Sequence, residues 1–115
     1  MSRGHNRERQ VRDRLADEDW VVVRAAGSLG GIDLVALRAK VYELEPGVRA
    51  YNHAGIEARL IEVKSTAQGP YEHFGPADRH WLSRTAQLAG AEAWLAWWPK
   101  NGKLRWIPEV EWPHG

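Results

Sequence analysis

Hydrophobic and polar positions alternate along the chain with two different periods. Within residues 6–16, Val11 and Leu15 recur at helical spacing, and Glu8 falls on their face because positions 8, 11, 12 and 15 superimpose at 3.6 residues per turn. An acid on an inward helix face asks for a reason. The run WVVVR at 20–24 is short and β-branched and predicts a strand, which the glycine-rich GSLGG at 27–31 ends. IDLVALR at 32–38 is apolar on both faces except at Asp33, the pattern of a central, buried strand in which a lone carboxylate needs a partner. Residues 39–58 carry turn signals at Glu45-Pro46-Gly47 and again from Asn52 to Gly55. They read as a hairpin extension, with 41–44 prolonging the preceding strand. RLIEVKS at 59–65 predicts a second central strand, with Leu60, Glu62 and Lys64 on one face and Ile61 and Val63 on the other. After a loop bracketed by Gly69-Pro70 and Gly75-Pro76, residues 77–89 form an amphipathic helix closed by Gly90. Strands at 92–98 and 103–107 flank an Asn101-Gly102 turn. The predicted order is α, β, β, β, α, β, β, without internal repeats.

A chain of 115 residues accommodates one domain, residues 1–115, and one catalytic centre. No apolar run reaches the ~18 residues of a membrane span. The first ten residues, MSRGHNRERQ, also lack the apolar core of a signal peptide, so a cytoplasmic protein without membrane partners is expected. The absence of cysteine removes disulfides, thiol nucleophiles and thiolate-bound zinc, which leaves oxygen and nitrogen donors for any metal and favours hard cations such as Mg²⁺ or Mn²⁺. The five histidines show no spacing that would build a zinc site. Net charge is +1, yet residues 1–14 hold Arg3, Arg7, Arg9, Arg12 and Arg14 against Glu8 and Asp13. That local excess could meet a phosphate backbone, although composition alone favours a solvated helix with Glu8 and Arg12 paired.

Hydrolysis of a phosphodiester needs a cation at the scissile phosphate, an activated water and a positive group near the developing charge. Adjacent strands lie ~4.8 Å apart, so Asp33 and Glu62 on neighbouring strands reach a common cation, and Lys64 shares the face of Glu62. An E-x-K in a strand is by itself commonly a surface ion pair. Here it follows an apolar strand bearing one acid, a glycine-rich turn and a helix with an inward glutamate.

These residues resemble the PD-(D/E)XK nuclease superfamily, with GIDLVAL supplying the aspartate motif and IEVKS the E-x-K motif. Within it, the run of ERQVRDRL, VVVRAAGS, GIDLVAL and LIEVKS is most similar to archaeal-type Holliday junction resolvases, over about residues 4–98. The resemblance implies an α/β, restriction-endonuclease-like αβββαβ core with a central mixed β-sheet flanked by helices. It implies Asp33 and Glu62 as metal ligands, Lys64 as the catalytic lysine, Glu8 as a further acid near the metals and Ser28 as a loop residue at the scissile phosphate. Mg²⁺ would be the cofactor, with Mn²⁺ able to substitute and no small-molecule cofactor. Physics offers Ser28 a role as well, since Gly27 and Gly30 let its loop approach a phosphate closely.

Arg3, Arg7, Arg24, Ser28 and Arg79 are the candidate DNA contacts. Arg79 and His80 stand where the family often carries a glutamine, and the 39–59 segment is longer than the family's usual connection. Of the seven tryptophans most are expected in the core, while Trp94, Trp98 and Trp106 on the paired hairpin strands could form an apolar patch, some of it serving a dimer interface or a base-stacking surface. The expected activity is a homodimeric resolvase cutting four-way DNA junctions by metal-dependent phosphodiester hydrolysis. Two alternatives stay open: a related nuclease acting on duplex, flap or single-stranded DNA, and a non-catalytic nucleic-acid-binding module on the same scaffold. Twelve arginines against four lysines hint at a GC-rich genome, a phage's among the candidates, in which case the cytoplasm is the host's.

Overall fold

The structure, a computed structural model, describes residues 3–25 and 31–114, with side chains from residue 6 onward except 51–54. The order is α1 (Arg3–Asp17), β1 (Val21–Arg24), β2 (Leu34–Glu45), β3 (Val48–Thr66), α2 (Pro76–Ala89), β4 (Glu92–Pro99), β5 (Arg105–Pro108) and a 3₁₀ turn, Glu109–Glu111. The strands form one sheet in the order β1-β2-β3-β4-β5. All neighbours are antiparallel except β3 and β4, which run parallel because α2 carries the chain back between them. This is the mixed α/β architecture the sequence predicts.

Each face of the sheet buries one helix. Val11 and Leu15 of α1 are fully buried against Leu34, Ala36, Ile61 and Trp98, each contributing about 1.5–3 kcal/mol through apolar burial. On the other face Leu82 and Ala86 of α2 pack with Leu60, Leu95, Trp97 and Phe74. Pro76 stands in the first turn of α2, where its missing N–H costs nothing. Gly90 ends the helix at φ 68°, its N–H bonded to Gln87 O and that of Ala91 to Ala86 O, a left-handed closure that glycine adopts without strain.

Two local expectations change. The Asn52–Gly55 segment is not a turn: β3 runs straight through it, and the extra residues are absorbed as a bulge between the pairs Ala39↔Ile56 and Lys40↔Asn52. The single reversal lies at Pro46-Gly47, where Gly47 takes φ 84°. Ion pairing also differs. Glu8 bonds Arg24 and not Arg12, whose partner is the adjacent Asp13.

α2 covers β3 and β4 but not the first strands of its face. Val21 (65% exposed), Val23 (53%), Leu37 (38%) and Ile56 (66%) therefore form an open apolar strip, joined through the pairs Val21↔Leu37, Val23↔Val35 and Ala39↔Ile56.

Candidate active site

Asp33 immediately precedes β2, one residue earlier than a strand position, yet the ladder already holds it. Its N–H donates to Ile61 O and its carbonyl accepts from Ala25 N–H, both at 2.9 Å. Its Oδ2 accepts from Val63 N–H at 2.7 Å. The Val63 N–H thus aims the carboxylate across onto β3, beside Glu62. Alternation with Leu34 and Val35 places Asp33 on the α2 side of the sheet, the side to which Leu60, Glu62 and Lys64 also project.

Glu62 is buried, and its Oε1 lies 3.2 Å from Lys64 Nζ. Its Oε2 is buried with no hydrogen-bond partner among the described residues. Burial first, and the neighbouring Asp33 charge second, push the Glu62 carboxyl up to about 8 from 4.5, against the opposing pull of Lys64. Gly31 closes the other side: a Cβ there would stand 3.1 Å from Glu62 Oε2, so the glycine lets the backbone approach the acid. Gly31 carries no chemistry that a motif search would flag, and its only signal in the sequence is its place two residues before Asp33.

An orphaned, buried carboxylate oxygen beside a second carboxylate suits a cation, which would satisfy the oxygen and offset both charges. No group of three or more acidic or histidine side chains able to hold a metal forms among the described residues. Two carboxylates with waters and substrate phosphate oxygens completing the shell is a usual arrangement for Mg²⁺, whereas zinc or calcium would ask for more protein donors.

The remaining sequence candidates are dispersed. Glu8 Oε1 accepts from Arg24 Nε at 3.1 Å, and the pair lines a small depression with Arg9, Arg12 and Leu34. Glu8 thus lies close to the residue after Asp33 without joining the acid pair. Arg7 lies over the Trp98 ring at 4.4 Å. Ser28 and the Arg3 side chain fall outside the described residues. Arg79, a candidate DNA contact, is instead buried and donates to Phe74 O at 2.6 Å, so it braces the loop before α2. The tryptophans mostly serve the core. Trp94 and Trp106 meet edge to face at 6.2 Å, and Trp98 is buried beneath Arg7 and Arg14.

A sequence profile described as archaeal Holliday junction resolvase (Hjc) matches residues 1–111. Among solved structures, the chain is similar to Hjc of Archaeoglobus fulgidus, described as a Holliday junction resolvase from an archaeal hyperthermophile. The two share 24% sequence identity and a TM-score of 0.67, over 95% of this chain and 75% of that one. No curated protein sequence matches the chain.

Proposed function

The chain belongs to the archaeal Holliday junction resolvase family, structure-selective endonucleases of branched DNA, and we propose that Asp33 and Glu62 hold its catalytic Mg²⁺, with Lys64 beside the scissile phosphate. The observation that carries this reading is the buried, unpartnered Oε2 of Glu62 next to Asp33 and Lys64. The cation, when bound, supplies positive charge at the phosphate and makes a neighbouring water more acidic.

The protein side of the chemistry follows from the positions of the side chains. The Val63 N–H holds the Asp33 carboxylate in place, so it needs little reorganisation. Lys64, held at 3.2 Å by Glu62 and partly exposed, presents its ammonium to solvent and substrate. There it orients the attacking water or meets the charge that builds on the phosphate oxygens as the P–O bond breaks. Glu8 serves as an accessory acid at the rim and Ser28 as a phosphate contact. Arg3, Arg7 and Arg24 form the candidate backbone-binding surface. Mn²⁺ should replace Mg²⁺, since every donor is hard oxygen.

Paired cuts in two strands call for two identical sites related by a two-fold axis, so the working species is proposed to be a homodimer. The open strip of Val21, Val23, Leu37 and Ile56 is a surface a second copy would cover. The test is cleavage of matched four-way junction, flap and duplex substrates in Mg²⁺. Expected are symmetric cuts in the junction, and a Lys64→Ala variant that binds the junction without cutting it. Equal cutting of duplex would shift the substrate assignment, and unchanged cutting by the variant would remove Lys64 from the mechanism.

A further inference from the structure

A groove of about 590 Å³ opens at the C-terminal ends of the parallel strands β3 and β4, where Thr66 pairs with Pro99. The start of α1 forms one wall, and the turn after β4 forms the other. Arg7, Gln10, Ser65, Lys100 and Asn101 line it, and no acid does among the described residues. We propose that this groove is a second phosphate-binding subsite, holding the DNA backbone that runs on from the scissile phosphate around the end of β3. The inference rests on the nuclease reading above.

Position supports it first. Ser65 follows Lys64 directly, and strand alternation turns it to the opposite face, so the groove begins one residue from the catalytic lysine, across the sheet's end. Preorganisation supports it next. Arg7 lies 4.4 Å above the buried Trp98 ring and donates to Gln10 Oε1 at 3.3 Å, while Arg14 lies over the same ring at 5.5 Å. An arginine already ordered by stacking loses less entropy on meeting a phosphate. Neutral donors complete the lining: the Ser65 hydroxyl and the Gln10 and Asn101 amides are the groups that contact phosphate oxygens without reading sequence. Asn101 sits at φ 59° in the turn, a left-handed position asparagine tolerates, and lines the groove with Lys100. A comparable depression by the β2–β3 hairpin has the wrong sign for a polyanion, since Asp17, Glu18, Asp19 and Glu43 line it with Arg38 and Arg49.

The test is equilibrium binding of a four-way junction, in EDTA, over a range of salt concentrations. Lys100→Glu changes an exposed turn residue, whereas Arg7→Ala also removes the stacking on Trp98, so the first is the safer variant and the second is read only with a wild-type melting temperature. Each is expected to weaken binding about tenfold and to lower the slope of log affinity against log salt by about one. Arg49→Glu, in the acidic depression, should do neither. Wild-type affinity and slope in Lys100→Glu, or equal losses in Arg49→Glu, would overturn the subsite while Mg²⁺-dependent cutting by the wild type keeps the nuclease reading. A wild type that neither binds nor cuts the junction overturns both.

Discussion

Glu62 and Glu8 each meet a basic side chain at nearly the same distance, 3.2 Å to Lys64 and 3.1 Å to Arg24. Their surroundings differ. The Glu62 side chain is 8% exposed, lies beside a second carboxylate and has one oxygen without a partner. The Glu8 side chain is 20% exposed, and its cation is 45% exposed, so water shares in solvating the pair. An acid–base pair alone is thus a poor marker of chemistry. The combination of desolvation, a like charge and an unsatisfied oxygen sets the proposed cation seat apart from a rim contact.

Removing members of the two pairs should widen that contrast. Lys64→Ala and Glu62→Gln should each lower the single-turnover rate of junction cutting by on the order of 10³-fold. Glu8→Gln, farther from the acid pair, should lose about 10–100-fold, as residues outside a metal's immediate shell do. Quenched-flow cleavage of a labelled junction measures all three. An equal loss in Glu8→Gln would bring that acid into the seat.

Stability should move the other way. Below about pH 4.5 the Glu62 carboxyl is protonated in both folded and unfolded chains, so its charge makes no difference. As pH rises toward 8, the unfolded chain gives up a proton that the folded one keeps, and metal-free stability falls until the folded group has titrated. Glu62→Gln removes this loss. Its melting temperature in EDTA should exceed the wild type's by several degrees at pH 8 and match it near pH 4. A variant less stable at both pH values would mean that the glutamate's bond to Lys64 outweighs its burial. The same titration should make cation binding release a proton below pH 8. The apparent affinity for Mn²⁺ would then rise about tenfold per pH unit between 6 and 7, as calorimetry in buffers of differing ionisation heat would show. Gly31→Ala should have the smallest effect, pressing a methyl on Glu62 Oε2 and weakening the cation about tenfold with little change in folding.

Much of this was legible in the chain. The element order followed from the switch between periods 3.6 and 2. The shared face of Glu62 and Lys64 followed from alternation in RLIEVKS, and the burial of Val11 and Leu15 from helical spacing. What sequence could not supply were contacts between distant segments. Glu8 sits four residues from Arg12 yet pairs with Arg24, sixteen residues away, because α1 crosses beside β1. Arg79 looked like a surface cation on a helix's first turn, whereas the loop ending at Phe74 folds over it and takes its hydrogen bond. The bulge at 53–55 reads as a turn from composition, since the Asn52 and Gly55 that flank and end it suit turns and bulges alike; only the pairing of β3 with β2 decides between them.

The seat itself is tested most directly by soaking crystals in Mn²⁺ and collecting anomalous diffraction. A peak bridging the Asp33 and Glu62 carboxylates, lost in Glu62→Gln, is the expected result. A peak elsewhere, or none at a Mn²⁺ concentration that supports cutting, would contradict it.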